Sequence, residues 1–142
     1  MPVAATMQGQ ACSVLCQVLE KNDIRYELTN KFCISCTVTD TAGDINMIFH
    51  INPSKMLITL YSPVLSPIPP ELAEDISLAL CLINHSLTDG AFCIDMSAGM
   101  VYFKMTASYY NSDPEDFIFE YMLSAAADAV DEYRPKIEKL II

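Results

Sequence analysis

In the stretch INHSLTDGAFCID, residues 83–95, His85, Asp89 and Cys93 stand four residues apart, with Asp95 just beyond. Imidazole, carboxylate and thiol at a helical spacing are what a metal centre or a catalytic group would use. They line up only if one continuous helix carries all three. Asp89-Gly90 is a turn signal that breaks such a helix. Past it, Phe92, Ile94 and Met96 alternate with Cys93 and Asp95, the period of a strand. His85 therefore falls in the last turn of a helix, where an imidazole meets free carbonyls. Cys93 and Asp95 fall on the next strand, facing away from its apolar side. The spacing reads as a helix-to-strand junction and not as a site.

The other thiols lead to the same reading. Cys33 and Cys36 form a C-x-x-C in KFCISCTVTD, but Phe32, Ile34, Cys36 and Val38 alternate with Cys33, Ser35, Thr37 and Thr39. A strand sends these two thiols to opposite faces. A zinc knuckle needs a tight turn, and a redox pair needs a helix N-terminus to lower the thiol pKa. Cys12 and Cys16 share a helix face with no second ligand pair at suitable spacing. The six cysteines read as small apolar packing residues, and no metal is expected. The histidines number two, His50 and His85, and no G-x-S-x-G, Walker loop, G-x-G-x-x-G or H-E-x-x-H motif occurs. No catalytic residue and no cofactor are assigned, and the chain reads as a non-enzyme. An alternative stays open: a small-ligand-binding protein or enzyme with a pocket near His50 and His85.

Several elements must position these residues. Ala11, Val14, Leu15, Val18 and Leu19 predict a helix over 8–21, after a patternless N-terminus (residues 1–8) expected to be disordered. Residues 24–28, IRYEL, are a short candidate strand, followed by the Cys33 strand. Ile45, Met47, Phe49 and Ile51 mark another strand, and Met56, Ile58 and Leu60 the next. SPVLSPIPPE reads as a connection whose last proline suits a first helical turn. Leu72, Ile76, Ala79, Leu80 and Ile83 form the inward stripe of the second helix. A hairpin over 92–106 follows, then a helix with Asp113 as N-cap and Pro114 at its first position. That helix is expected to turn Phe117, Tyr121, Ala125 and Val130 inward and to end or kink at Pro135. The class is α+β, with three helices packed on one face of an antiparallel sheet of five or six strands. Residues 9–142 are expected to form one domain.

Residues 80–105, LCLINHSLTDGAFCIDMSAGMVYFKM, carry a resemblance. Asn84, Gly90, Asp95, Gly99 and Lys104 match the places where the YbjN-type family of bacterial sensory transduction regulators has a helix-closing Asn, a Gly before the returning strand, an Asp with a turn, and a basic residue ending the strand. The hairpin SAG departs from the Asp or longer turn frequent in that family. The resemblance implies a fold related to type III secretion chaperones and a small, often dimeric, protein-binding domain without enzymatic activity.

Composition bounds the partners. Of 142 residues, 52% are hydrophobic, more apolar surface than one small core consumes, which points to an oligomer or a binding face. The net charge of −10 argues against nucleic acid and favours a basic segment as partner. Asp113, Glu115, Asp116, Glu120, Asp128, Asp131 and Glu132 fall in a span without Lys or Arg and read as a solvated helix face, or as a docking surface for such a segment. No stretch has the apolar length or flanks of a membrane span or secretory signal, so a cytoplasmic protein with reduced thiols is expected. The helices cover one sheet face, taken to bear Phe32, Ile34, Ile45, Met47, Ile58, Phe92, Val101 and Phe103. The opposite face keeps Ile48, Leu57, Tyr61 and Tyr102, the residues expected to bind protein, either an unknown partner or a second subunit in a homodimer.

Overall fold

A computed structural model describes residues 7–41, 43–110 and 114–141. Of the patternless residues 1–8, the first six lie outside the described residues, while Met7 and Gln8 open the first helix, α1 (Met7–Lys21). Four strands follow as a meander: β1 (Tyr26–Asn30), β2 (Cys33–Asp40), β3 (Gly43–Asn52) and β4 (Leu57–Leu65). A short 3-10 turn at Pro70–Leu72 leads into α2 (Ala73–Ser86). The hairpin of β5 (Ala91–Asp95) and β6 (Met100–Ser108) and then α3 (Asp116–Glu138) complete the order. The sheet is antiparallel in the order β1-β2-β3-β4-β6-β5, so the hairpin enters with its second strand against β4.

Strict alternation explains the layering. In β3, Ile45, Met47, Phe49 and Ile51 are buried while Asp44, Asn46 and Ile48 are exposed. The same inner face carries Ile34, Ile58, Leu60, Phe92, Val101 and Phe103. It packs against Leu15 and Leu19 of α1, Ile76 and Leu80 of α2, and Phe119, Met122, Ala126 and Val130 of α3 in one core. The strand expected at residues 24–28 is present and paired but shifted to Tyr26–Asn30, with Tyr26 opposite Cys36 and Leu28 opposite Ile34.

Four expectations need correction. The stripe of α3 that faces the core is Phe119, Met122, Leu123, Ala126, Ala127 and Val130, whereas Phe117 and Tyr121 are exposed. The start of α3 is apolar on several sides, and the aromatic residues were the wrong guide to its inward face. The same helix runs through Pro135 to Glu138. Phe32 and Met96 lie in turns and not in strands, the first half-buried and the second exposed. Finally, β4 extends through Pro63 to Leu65, into what reads as a loop. The expected N-cap, Asp113, lies outside the described residues; Pro114 precedes the helix, which starts at Asp116.

Ser62 shows how the central strand accommodates its proline. The last register partners of β3 and β4 are Ile48 and Tyr61, and Pro63 has no N–H to offer beyond them. The Ser62 hydroxyl, fully buried, donates instead to the Asn46 carbonyl at 2.7 Å. Ser62→Ala leaves that carbonyl without this donor, and is expected to lower the free energy of unfolding by about 1–2 kcal/mol. Urea denaturation monitored by circular dichroism reads the loss directly.

Candidate functional site

The structure separates the three residues of the junction. His85 is exposed in the last turn of α2, and Cys93 is half-buried on β5. Asp89 lies between these elements, with Oδ1 accepting the Gly90 amide at 2.8 Å and Oδ2 accepting the Tyr121 hydroxyl at 3.0 Å. Asp95 closes the β5–β6 turn, its Oδ1 accepting the Ser97 and Ala98 amides at 3.1 Å. These hydrogen bonds hold its carboxyl below the ordinary carboxylate pKa, the Ala98 amide contributing most. Asn84 fastens helix to strand: its Nδ2 donates to the Phe92 carbonyl at 2.9 Å and its Oδ1 accepts the Phe92 amide at 2.7 Å. All of this is local architecture.

Of the six thiols, Cys12, Cys16 and Cys36 are buried packing residues and Cys33 and Cys93 are half-buried, but Cys81 is exposed on α2, against the expectation that all six pack inside. Cys36 is buried on the inner side of β2, and burial pushes its pKa up to about 12. Cys12 is buried under α1, and burial, with Cys16 and Cys33 nearby, pushes it up to about 11. Thiols held that high stay protonated at neutral pH, the opposite of what a nucleophile or metal ligand needs. Cys12 and Cys16 line a cavity of about 220 Å³ between α1 and β1, with Tyr26 donating its hydroxyl to Glu20 at the rim. Among the described residues no group of three or more His, Cys, Asp or Glu is arranged to hold a metal ion. The two histidines are not brought together. His50 is half-buried on the outer face of β3, opposite Cys33 and Thr59, while His85 ends α2.

The outer sheet face gathers the four residues expected there. Ile48 of β3 lies opposite Tyr61 of β4, which lies opposite Lys104 of β6. Tyr102 of β6 sits one step along, opposite Pro63 and Cys93. The Tyr61 and Tyr102 rings meet at 6.1 Å between centroids, and Lys104 Nζ stands 5.7 Å from the Tyr61 ring. Leu57, at the start of β4, lies opposite Asn52 and Ser108, farther from the others. Burial beside these neighbours, with Cys93 close by, raises the pKa of the Tyr102 phenol above its ordinary value, so the hydroxyl remains a neutral donor. Paired polar side chains frame the patch, the Thr37 hydroxyl donating to the Asn46 amide oxygen at 3.0 Å and the Thr39 hydroxyl to the Asp44 carboxylate at 2.9 Å. Ile48 is 37% exposed, and the two tyrosines and Leu57 are partly so. The face thus combines an amphipathic aromatic centre with a polar rim.

No protein-family model and no curated protein matches the sequence. Solved structures do. The HopA1–SchA chaperone–effector complex matches with a TM-score of 0.65 over 90% of this chain and 95% of that chain, at 8% identity. YbjN from E. coli matches with a TM-score of 0.61 over 86% and 89%, at 14% identity. The fold is YbjN-like and type III secretion chaperone-like. The heterodimeric ExoU–SpcU complex of the Pseudomonas aeruginosa type III secretion system shares it, with a TM-score of 0.58 over 88% of this chain and 95% of that chain, at 16% identity. Three helices against a six-stranded antiparallel sheet match the α+β class expected from the order of elements, with six strands where five or six were expected, and the fold matches the one implied by the resemblance of residues 80–105. Among the described residues no helix is long and apolar enough to cross a membrane.

Sequence reasoning missed some exposed apolar residues. The sequence reading turns Phe117 and Tyr121 inward and gives Leu78 and Leu82 of α2 no side, yet all four are exposed. For α2 the signal was present: Leu78 and Leu82 repeat at four residues, out of phase with Ile76 and Leu80.

Proposed function

We propose that this protein is a non-enzymatic binding module, a chaperone-like or regulatory protein that works in the cytoplasm as a homodimer. Its outer sheet face takes an unfolded or extended segment of another protein. The observation that carries this reading is the uncovered sheet face with Ile48, Tyr61 and Tyr102 clustered on its central strands and Leu57 at one end. The fold shared with a chain solved in a chaperone–effector complex, and with one solved in a heterodimeric complex of a type III secretion system, supports it. The net charge of −10 suits a partner whose binding segment is basic.

Tyr61→Ala with Tyr102→Ala tests the proposal, because both side chains stand outside the core. Wild-type and doubly substituted protein, each immobilised at equal density, are used to capture partners from the native host for quantitative mass spectrometry. The expected result is a loss of about tenfold or more in specifically captured protein, since two central aromatic anchors are gone. The thermal midpoint of the variant should move by only a few degrees. Equal capture by the folded variant would remove the outer sheet face from the reading.

A further inference from the structure

Helix α3 leaves two large aromatic side chains of its first turns outside the core. Phe117 and Tyr121, one turn apart, are 62% and 50% exposed, while Phe119 between them is buried. Beyond Tyr121 the same side of the helix carries Ala125, Asp128 and Glu132, at intervals of four, three and four residues. Here α3 and the loop between α2 and β5 border a groove of about 290 Å³. Tyr121 and Tyr133 line it, half-buried Ala125 and Ala129 leave it room, and the exposed carboxylates of Asp89, Asp128 and Glu132 surround it.

The chemistry of the groove is that of a cation site. No Lys or Arg occurs from Met105 to Tyr133. One cation of the same helix is already drawn to its rim: Lys136 Nζ stands 4.9 Å from the Tyr133 ring centroid and 3.9 Å from Glu132 Oε2. Both side chains of that ion pair are exposed, so it contributes little and yields to a better cation. An arginine meets every demand, its stem over the alanines and its planar guanidinium shared between tyrosine rings and carboxylates. A helix has its backbone internally paired, so α3 offers no edge for an added strand. A partner that follows this stripe for two turns, contacting it through side chains alone, is itself a helix. A second copy of this chain is a poor occupant, because each carries a net charge of −10. We infer that the outer side of α3 receives a basic amphipathic helix of another protein, with an apolar residue on Phe117 and Tyr121 and an arginine beside Asp128 and Glu132. Tyr121 and Asp128 are about 10 Å apart along the axis, so the two partner residues stand about seven positions apart. This surface lies across the molecule from the outer sheet face, since α3 packs on the inner one, and it stands whether or not that face binds protein.

Fluorescence anisotropy of the full chain with labelled synthetic peptides tests the inference. The probe is an alanine-based helical peptide of about 18 residues, with two leucines and two arginines repeating the intervals of the α3 stripe. It is made in both sequence orders, so that either chain direction can bind. One order should bind at micromolar concentration, and the same residues with the arginines on the opposite side of the helix should bind about tenfold more weakly or worse. Phe117→Ala with Tyr121→Ala should weaken binding by about tenfold or more, with circular dichroism unchanged. Asp128→Asn with Glu132→Gln should weaken it comparably and flatten its dependence on salt. Tyr61→Ala with Tyr102→Ala should leave it within about twofold of wild type. No binding by either order, or equal binding by the rearranged peptide, overturns the α3 assignment. Binding lost with the Tyr61 and Tyr102 pair but kept without Phe117 and Tyr121 also overturns it, and places the basic segment on the outer sheet face. If Phe117→Ala with Tyr121→Ala instead turns a wild-type dimer into a monomer in light scattering, a second copy covers α3 and the foreign helix is excluded.

Discussion

Gly90→Ala is expected to lower the free energy of unfolding by about 3 kcal/mol, through the sum of two independent costs. Gly90 has a φ of +74°, a left-handed conformation that an L side chain adopts at a cost of about 1–2 kcal/mol. The added methyl would also lie 2.4 Å from Phe103 Cζ, 2.9 Å from Phe103 Cε1 and 3.0 Å from the Lys104 carbonyl oxygen. Phe103 has nowhere to retreat. It is fully buried and meets Phe92 edge-to-face at 5.2 Å, and overpacking of such a site costs about 1–3 kcal/mol more. For a chain of this size the thermal midpoint should fall by roughly 10 °C. A fall of under about 3 °C would show that the β5–β6 hairpin yields more readily than a packed aromatic pair should.

Asn84→Ala carries the next largest expected loss, about 2–3 kcal/mol. β5 pairs on one side with β6, and on its other side the Asn84 amide meets both the N–H and the C=O of Phe92. Alanine removes both partners from a residue whose side chain is buried. Asn84→Asp separates hydrogen bonding from packing, because it keeps the volume but turns the donor facing the Phe92 carbonyl into an acceptor. At neutral pH it should cost about as much as alanine. Chemical denaturation gives the size of each loss, and amide exchange at Phe92 should quicken selectively in both variants. A wild-type midpoint for Asn84→Asp would mean that the pairing contributes little and that the helix is held by Ile76 and Leu80 alone.

Gly90 was visible in the sequence as a turn residue, and Asn84 was placed at a helix end by the resemblance of residues 80–105; both places have a physical reason. A cap or a left-handed turn is decided by neighbours a few positions away. The alternation of Ile45, Met47, Phe49 and Ile51 was legible for the same reason, and it placed Ile48 on the outer face. What lay beyond reach depended on distant parts of the chain. Nothing in residues 57–65 announces that Ser62 will supply the donor that Pro63 lacks, so the end of β4 passed for a loop. Around the start of α3, Phe117, Ile118, Phe119, Tyr121, Met122 and Leu123 put apolar groups on several sides, and only packing against the sheet selects Phe119, Met122 and Leu123. In α2 the inward stripe of Ile76 and Leu80 was legible from its spacing, whereas Leu78 and Leu82 add an apolar pair to the exposed side among Glu74, Asp75 and His85.

The position of β6 beside β4 has a kinetic consequence. Strands β1 to β4 can zip one hairpin at a time, each contact closing a short loop. The β4–β6 ladder is different, because residues 66–99, including all of α2 and β5, lie between its two strands. Closing so long a loop costs entropy before any contact repays it. The meander and the β5–β6 hairpin can therefore form early and separately, and their joining across Leu60 and Met105 becomes the slow step. Until that step is complete, the edge of β4 that will face β6 stays unpaired, and in a growing chain emerging from the ribosome it must remain so until β6 has been synthesised.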